Sequence, residues 1–404
     1  VSGKTILIIG TLDTKGVELA YIRDVVAARG HGTIVLDAGI MAPGWAADIG
    51  GARVAEAGGG DLAALRAAND RGNAVEVMCR GARAVALELL AGGRIEGIIS
   101  LGGSGGTAIA TSAMRAMPVG MPKVMVSTMA SGDVSAYVDV KDITMMYSVV
   151  DVAGLNRLSR RILANAAGAV CGMVEQAIPP ADEGPLLAAT MLGVTTPCVS
   201  RVRDRLEAQG YEVLVFHATG SGGRAMEALI ADGFIAGVAD VTTAEWCGEL
   251  VGGIVSAGPG RLDAAGRAGI PQVVSVGGLD IVVFGASDSV PPQFHGRTLY
   301  RHNPHITLMR TTPDECTELG RIIATKLNAS AGPTALFLPL RGVSMIDADG
   351  SPFWSPEADA TLFAAIRETI DPSRVELVEL DLHVNDPAFA DAMADRLLGM
   401  LGAG

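Results

Sequence analysis

The sequence predicts an α/β protein of two similar Rossmann-like units, each a mainly parallel sheet with helices on both faces, and three observations carry that prediction. The first is composition: 49 % of the 404 residues are hydrophobic but only 4 % aromatic, which suits Ala-, Gly- and Val-rich helices packed closely on a buried parallel sheet. The second is alternation, because short apolar runs are each followed by a helical stretch through the first part of the chain. The third is repetition, because the same pattern starts again after residue 185. A chain of this length is ample for two buried cores.

The elements follow in order. TILIIG (5–10) is a strand, 16–29 a helix, TIVLDAG (33–39) a strand, 61–70 and 74–91 helices, EGIISLGG (96–103) a strand, 107–116 a helix and KVMVST (123–128) a strand. A long helical stretch is expected from about 150 to 176. Pro179, Pro180, Asp182, Glu183, Gly184 and Pro185 then form a linker, dividing a first domain, 1–180, from a second, 185–404. Beyond it, Arg203, Asp204 and Gly210 fall where Arg23, Asp24 and Gly30 fall in the first copy. IAGVADVTT (235–243) echoes IEGIISLGG (95–103), and GIPQVVSV (269–276) echoes GMPKVMVS (120–127).

Charge and cysteine usage narrow the class. A net charge of −13 argues against nonspecific binding to nucleic acid or an anionic membrane, both of which need a basic surface. The five cysteines are scattered without a Cys-x-x-Cys pair, so they predict reduced thiols rather than a disulfide framework or zinc ribbon. No apolar run reaches membrane-spanning length, and the expectation is a cytoplasmic protein.

In a doubly wound sheet, ligands sit beyond the carboxyl ends of the strands. There the chain places Thr11, Leu12, Asp13, Thr14 and Lys15, then Asp37, then Gly102, Gly103, Ser104, Gly105, Gly106 and Thr107, then Thr128 and Ser131. Four glycines in five positions let backbone N–H groups converge at a helix N-terminus, an arrangement that attracts phosphate. Neither a Gly-Lys-Ser/Thr nor a Gly-x-Gly-x-x-Gly pattern is present there. Asp13 and Thr14 either cap the following helix or, with Thr11 and Lys15, meet phosphate and magnesium. Asp37 is either a ribose- or adenine-facing carboxylate or a turn residue. Asp142 is a second candidate for magnesium, with surface solvation as its alternative.

GTLDTK (10–15), LDAG (36–39), SLGGSGGT (100–107), TTAEW (242–246), AGPGRLDAAGRAGIPQVVS (257–275), RHNPHITLMRT (301–311) and LPLRGVSMIDADGSPF (338–353) resemble the tomato mosaic virus resistance protein-like ATP-binding family along essentially the whole chain. The resemblance implies a first Rossmann-like domain that binds ATP with Mg2+, a second similar domain, and a homo-oligomer. It implies the stand-alone bacterial form, without the additional barrel domain of the plant protein. It also adds Arg80, inside the predicted 74–91 helix, as a nucleotide contact, with a solvated charge as its alternative. Where the family pattern has proline, alanine and asparagine, this chain has Val276, Gly278 and Val283, which implies an altered second-domain site if that asparagine is used.

The second domain concentrates reactive groups. Arg301, His302, Asn303, His305 and Arg310 fall within ten positions of a protein with only six histidines. Pro304 keeps His302 and His305 off one helix face, so a loop-and-strand arrangement is expected, with an imidazole as acid or base and the arginines holding an anion. Glu245 is either a general acid or base or a helix cap. Ser344 is either a nucleophile or a turn serine, and it lies outside a Gly-x-Ser-x-Gly elbow. His217, Glu245, His302, His305, Ser344 and Asp347 are expected to gather at strand ends in one cleft. The leading expectation is an ATP-dependent enzyme acting on a small carboxylate or carbonyl compound at a cleft between the domains. The alternatives are a hydrolase or lyase with regulatory or structural nucleotide, and a nucleotide-stabilised protein-binding module.

Overall fold

The computed structural model describes residues 3–177 and 184–402, and the chain divides into two compact units, Val1–Pro180 and Ala181–Gly404. Of the expected linker, Pro179, Pro180, Asp182 and Glu183 lie outside the described residues.

The first unit runs β1 (Thr5–Gly10), α1 (Leu12–Ala28), β2 (Gly32–Asp37), α2 (Gly51–Ala57), α3 (Leu62–Ala68), α4 (Arg71–Ala91), β3 (Gly97–Gly102), α5 (Ser104–Arg115), β4 (Lys123–Ser127), α6 (Ser135–Val138), β5 (Thr144–Tyr147) and α7 (Arg157–Glu175). Its five strands are parallel in the order β2-β1-β3-β4-β5. Strand alternation sends Ile6 and Ile8 to one face, against Leu19, Ile22 and Val26 of α1 and Val170 of α7. Leu7 and Ile9 go to the other, against Val77, Val85 and Leu89 of α4 and Ala110 and Met114 of α5. Both faces are therefore covered, which is why these strands read as unbroken apolar runs.

Several expected helix starts are corrected, and the two that follow β1 and β3 touch the candidate site. α1 begins at Leu12 rather than 16, because Asp37 Oδ1 accepts from the Leu12 amide at 3.0 Å and from Gly39 N at 2.8 Å, pinning the turn after β1 to the turn after β2. α5 begins at Ser104 rather than 107, so the glycine run is the helix's own first turn, with Gly103 as its N-cap. The stretch expected to be helical from 150 begins its helix only at Arg157, where Asn156 and Ser159 form a reciprocal cap. α2 and the edge strand β5 were not anticipated.

The second unit runs β6 (Leu186–Met191), α8 (Thr196–Glu207), β7 (Glu212–His217), α9 (Ser221–Ala231), β8 (Gly237–Thr242), α10 (Glu245–Val251), α11 (Ala264–Ala268), β9 (Gln272–Gly277), β10 (Ile281–Phe284), β11 (Leu299–Asn303), β12 (Ile306–Arg310), α12 (Pro313–Asn328), β13 (Thr334–Pro339), α13 (Pro356–Thr369), β14 (Glu376–Leu380) and α14 (Pro387–Leu401). Its six-stranded parallel sheet has the order β14-β13-β9-β8-β6-β7. The segment β7-β6-β8-β9 thus repeats the arrangement β2-β1-β3-β4 of the first unit. A three-stranded antiparallel sheet, β10-β12-β11, is inserted between β9 and β13. Val276 and Val283, two of the departures from the family pattern, are core residues: Val276 is fully buried in β9, and Val283 packs with Ile281, Leu308 and Phe353.

Candidate anion-binding site

In the first unit the strand order reverses direction between β1 and β3, the position where doubly wound sheets open a crevice at their carboxyl edge. A cavity of about 610 Å3 lies there, lined by Thr11, Asp13, Thr14 and Lys15 from the start of α1 and by Gly102 to Gly106 from the start of α5. Its size falls in the range of small-molecule sites. Ala74, Val75, Met78 and Ile109 give it an apolar wall, and Gly39, Ile40 and Met41 bring in the turn after β2.

Two features leave the first turn of α5 open toward the cavity. The first is that Gly103, as N-cap, offers no side chain to the first amides of α5, and those amides carry the positive end of the helix dipole. The second is that Gly103 and Gly105 are not demanded by packing. A Cβ on Gly105 would meet only the tips of Arg71 and Val75, both at 3.8 Å, and one on Gly103 only Thr128 Oγ1 at 3.8 Å. The space a side chain would fill is thus left open.

The second unit supplies a control. Gly220, Ser221, Gly222 and Gly223 at the start of α9 look much like Gly103 to Gly106, yet a Cβ on Gly223 would collide with the Glu245 carboxylate, one on Gly222 with the His217 carbonyl and one on Gly220 with the Ser256 carbonyl. Those glycines serve close packing. The α9 amides are already taken: Glu245 Oε1 accepts from Gly220 N at 2.6 Å and Gly223 N at 3.1 Å.

The remaining polar groups of the cavity are arranged around the glycine turn. Asp13 Oδ2 accepts from Met41 N at 2.9 Å, while its Oδ1 is buried with no hydrogen-bond partner among the described residues. Thr11 and Thr14 hydroxyls pair at 2.7 Å. The Lys15 ammonium donates to Val152 O, and Arg66 donates to Ile40 O and Met41 O. Arg66, Asn69, Asp70, Arg71 and Asp151 also line the cavity. Arg66, Asn69, Asp70 and Arg71 are not marked in the sequence because they belong to the end of α3, the turn after it and the first residue of α4, not to strand ends.

Several expected contacts fall elsewhere. Leu12 packs its side chain into the core. Asp37 is 2 % exposed and spends its Oδ1 on two amides; burial raises its pKa above the ordinary carboxylate value, partly offset by those hydrogen bonds. Thr107 is buried, donating to Gly103 O at 2.8 Å and pairing with Ser127 Oγ at 2.7 Å, so it braces the turn from behind. Thr128 stands beside Gly103, whereas Ser131 is exposed and does not line the cavity. Arg80 donates through Nε to Gly58 O at 3.0 Å and is not part of the lining. Asp142 is a correction: it pairs with Lys123 at 2.8 Å and accepts from Gly120 N at 2.8 Å. Both partners mark the amino end of β4, the opposite edge of the sheet. Among the described residues no group of three or more His, Cys, Asp or Glu side chains stands close enough to hold a metal by itself.

The second-unit candidates separate into two buried networks and three exposed histidines instead of one cleft. Glu245 is 1 % exposed and bonded to Arg261 Nε at 2.7 Å; Arg261 in turn grips Asp240 with both terminal nitrogens. Glu245 therefore caps α9 from the first turn of α10, fixed by an arginine. Ser344 donates to Asp280 Oδ2 at 2.7 Å, deep in a cluster where Arg310 bonds Asp359 at 2.6 Å and lies 3.7 Å from Asp347. No histidine ring faces the Ser344 hydroxyl; His383 Nε2 is bonded to the Ser344 carbonyl at 2.9 Å. His302 and His305 are exposed on the β11–β12 hairpin, and His217 is exposed at the end of β7.

The Asp280, Asp347, Asp359 cluster has a consequence for stability. Burial, reinforced by the Asp347 charge and opposed by Arg310, pushes Asp280 up to about 7 and Asp359 up to about 8. Both values lie above the unfolded carboxylate range, so the folded unit holds protons that the unfolded chain releases. The stabilisation is full below the unfolded pKa of about 4 and is lost as pH rises through about 7 to 8. Asp347→Asn removes the shared like charge, and its melting temperature is expected to fall less between pH 6 and 9 than that of the wild type. Parallel melting curves for the two proteins across that range would contradict this account.

Comparison with known proteins gives a family for each unit. Residues 4–179 match the uncharacterised protein family (UPF0261) N-terminal domain and residues 184–401 its C-terminal domain. A UPF0261 protein of Clostridium tetani is 52 % identical over 400 residues, covering 98 % of this chain and 99 % of that one. The ToMV resistance protein Tm-1(GCR237) of Solanum lycopersicum is 43 % identical over 311 residues, covering 75 % of this chain and 41 % of the tomato protein. Among solved structures, the glycosyltransferase SnogD from Streptomyces nogalater aligns over 99 % of this chain and 100 % of its own at 15 % identity, but with a TM-score of 0.21 it carries no argument. No helix among the described residues is long and apolar enough to cross a membrane.

Proposed function

The chain belongs to the uncharacterised protein family UPF0261, and we propose that its first unit binds a nucleotide, ATP with Mg2+, with phosphate on the first turn of α5. The observation that carries this reading is the open glycine turn: an uncapped helix start facing a cavity, with Gly103 and Gly105, whose absent side chains leave ligand space instead of protein contacts. Anions are held at such ends by convergent amides and the helix dipole. Thr11, Thr14 and Lys15 would reach the same phosphates from α1. The apolar wall of Val75, Met78 and Ile109 suits a base or another flat apolar group.

Mg2+ would neutralise phosphate charge. Asp13 Oδ1, the buried carboxylate oxygen without a partner, fits such a hard cation or a water bound to it. The proposal puts no chemistry on Glu245 or Ser344, whose polar atoms are committed within the second unit.

Calorimetric titration with ATP, with and without Mg2+, followed by a phosphate-release assay, tests the reading. Saturable binding supports it, and no heat with either form contradicts it. Release that depends on an added small carboxylate or carbonyl compound would make the protein an enzyme of that class; binding alone would leave it a nucleotide-binding protein. His302→Ala, on the exposed hairpin of the second unit, is expected to change ATP affinity by less than about twofold, the range typical of surface substitutions. A loss of tenfold or more would connect that hairpin to the nucleotide.

A further inference from the structure

Arg71 occupies a position that the fold of the free protein does not explain. It is the first residue of α4, a helix of 21 residues whose N-cap Asp70 accepts from Asn73 N at 3.1 Å. A cation in the first turn opposes the helix dipole. Its guanidinium extends to within 3.8 Å of where a Cβ on Gly105 would stand, over the uncapped start of α5. There it meets the positive end of a second helix. Arg71 forms no ion pair or hydrogen bond among the described residues and is exposed.

The other two cations of the cavity are engaged: Lys15 with Val152 O, and Arg66 with Ile40 O and Met41 O. The lining side chains sum to three positive charges, Lys15, Arg66 and Arg71, and three negative, Asp13, Asp70 and Asp151. An anion seated on the glycine turn would therefore find one uncommitted charge, and that charge is unfavourably placed until an anion arrives.

We propose that Arg71 is the phosphate clamp of this cavity, closing on a terminal phosphate seated on the Gly103–Gly106 turn. Its planar fork suits two oxygens of a phosphate group, a contact that lysine makes only as a point charge. The ligand class that follows is a compound ending in a phosphate, gripped at that terminal group. This rests on the phosphate reading of the glycine turn.

The experiment titrates wild type, Arg71→Met, Arg71→Lys and Gly105→Val with inorganic phosphate, pyrophosphate and ATP with Mg2+, and records melting curves without ligand. Arg71→Met is expected to lose 10- to 100-fold in affinity for every probe the wild type binds, as loss of a charge-assisted pair implies. Arg71→Lys recovers part of that loss. The ligand-free melting temperature of Arg71→Met is expected to equal or exceed that of the wild type, an outcome that a structural role would reverse. Unchanged affinity in Arg71→Met, with affinity lost in Gly105→Val, would overturn the clamp and keep the glycine seat. A wild type that binds none of the three probes would overturn both.

Discussion

Gly105→Val is expected to abolish phosphate and nucleotide binding while leaving the fold intact. The substituted side chain would enter the cavity, since the nearest protein atoms to its Cβ are the tips of Arg71 and Val75 at 3.8 Å. Valine is no worse than glycine inside a helix, so the melting temperature should stay within about 2 °C of wild type, equivalent to roughly 0.5 kcal/mol. Its branches would stand over the amides of the first turn of α5. Losing two hydrogen bonds to a charged ligand, each worth about 1.5–3 kcal/mol, is a loss of at least a hundredfold in affinity. Calorimetry and a thermal melt on the same sample measure both halves. Retained affinity would refute the phosphate seat, and a large drop in melting temperature would mean the glycine serves packing after all.

Arg261→Met is expected to be among the most destabilising single changes in the second unit. Arg261 is 1 % exposed and bonds Glu245 and Asp240, with Glu227 at 3.5 Å. Burial alone would lower its pKa, but the carboxylates around it, Asp240 foremost, raise it above the ordinary value, so it stays charged. Methionine fills much of the space and leaves buried acids without their counter-charge. Breaking a buried pair this way costs about 3–5 kcal/mol. At roughly 2–4 °C per kcal/mol for a unit of this size, the loss is about 6–20 °C. Scanning calorimetry would show it, and a shift below about 2 °C would mean the arginine is dispensable. Because Glu245 holds Gly220 and Gly223, the α9 start should also gain amide exchange in this variant.

How far the sequence revealed these features follows from how locally each is encoded. Parallel strands with both faces covered, such as β1 and β3, are continuous apolar runs, so their positions and the ligand edge they define were legible. The glycine turn was legible as a motif but not as a helix start, because glycine carries the weakest helix signal short of proline. Asp13, Lys15 and Gly103 to Gly106 follow strands directly and were found. Arg66 and Arg71 reach the same cavity from the last turn of α3 and the first of α4, and nothing in the local pattern marks either. In the second unit the misleading signals were the reactive side chains themselves. Glu245 is committed by Arg261 and Ser344 by Asp280, partners 16 and 64 positions away, and pairing across such separations leaves no periodic trace. The inserted antiparallel sheet was hidden for a related reason: its exposed strand, β11, has no apolar face to announce it.

Amide hydrogen exchange at Gly103 to Gly106, with and without ATP and Mg2+, tests the central claim most directly. The uncapped amides at the start of α5 should exchange rapidly in the free protein and slow by at least tenfold when phosphate sits on them. Protection confined to that turn and the start of α1, and absent in Gly105→Val, is the predicted result. Nucleotide binding that leaves these amides unprotected would place the phosphates elsewhere and contradict the account.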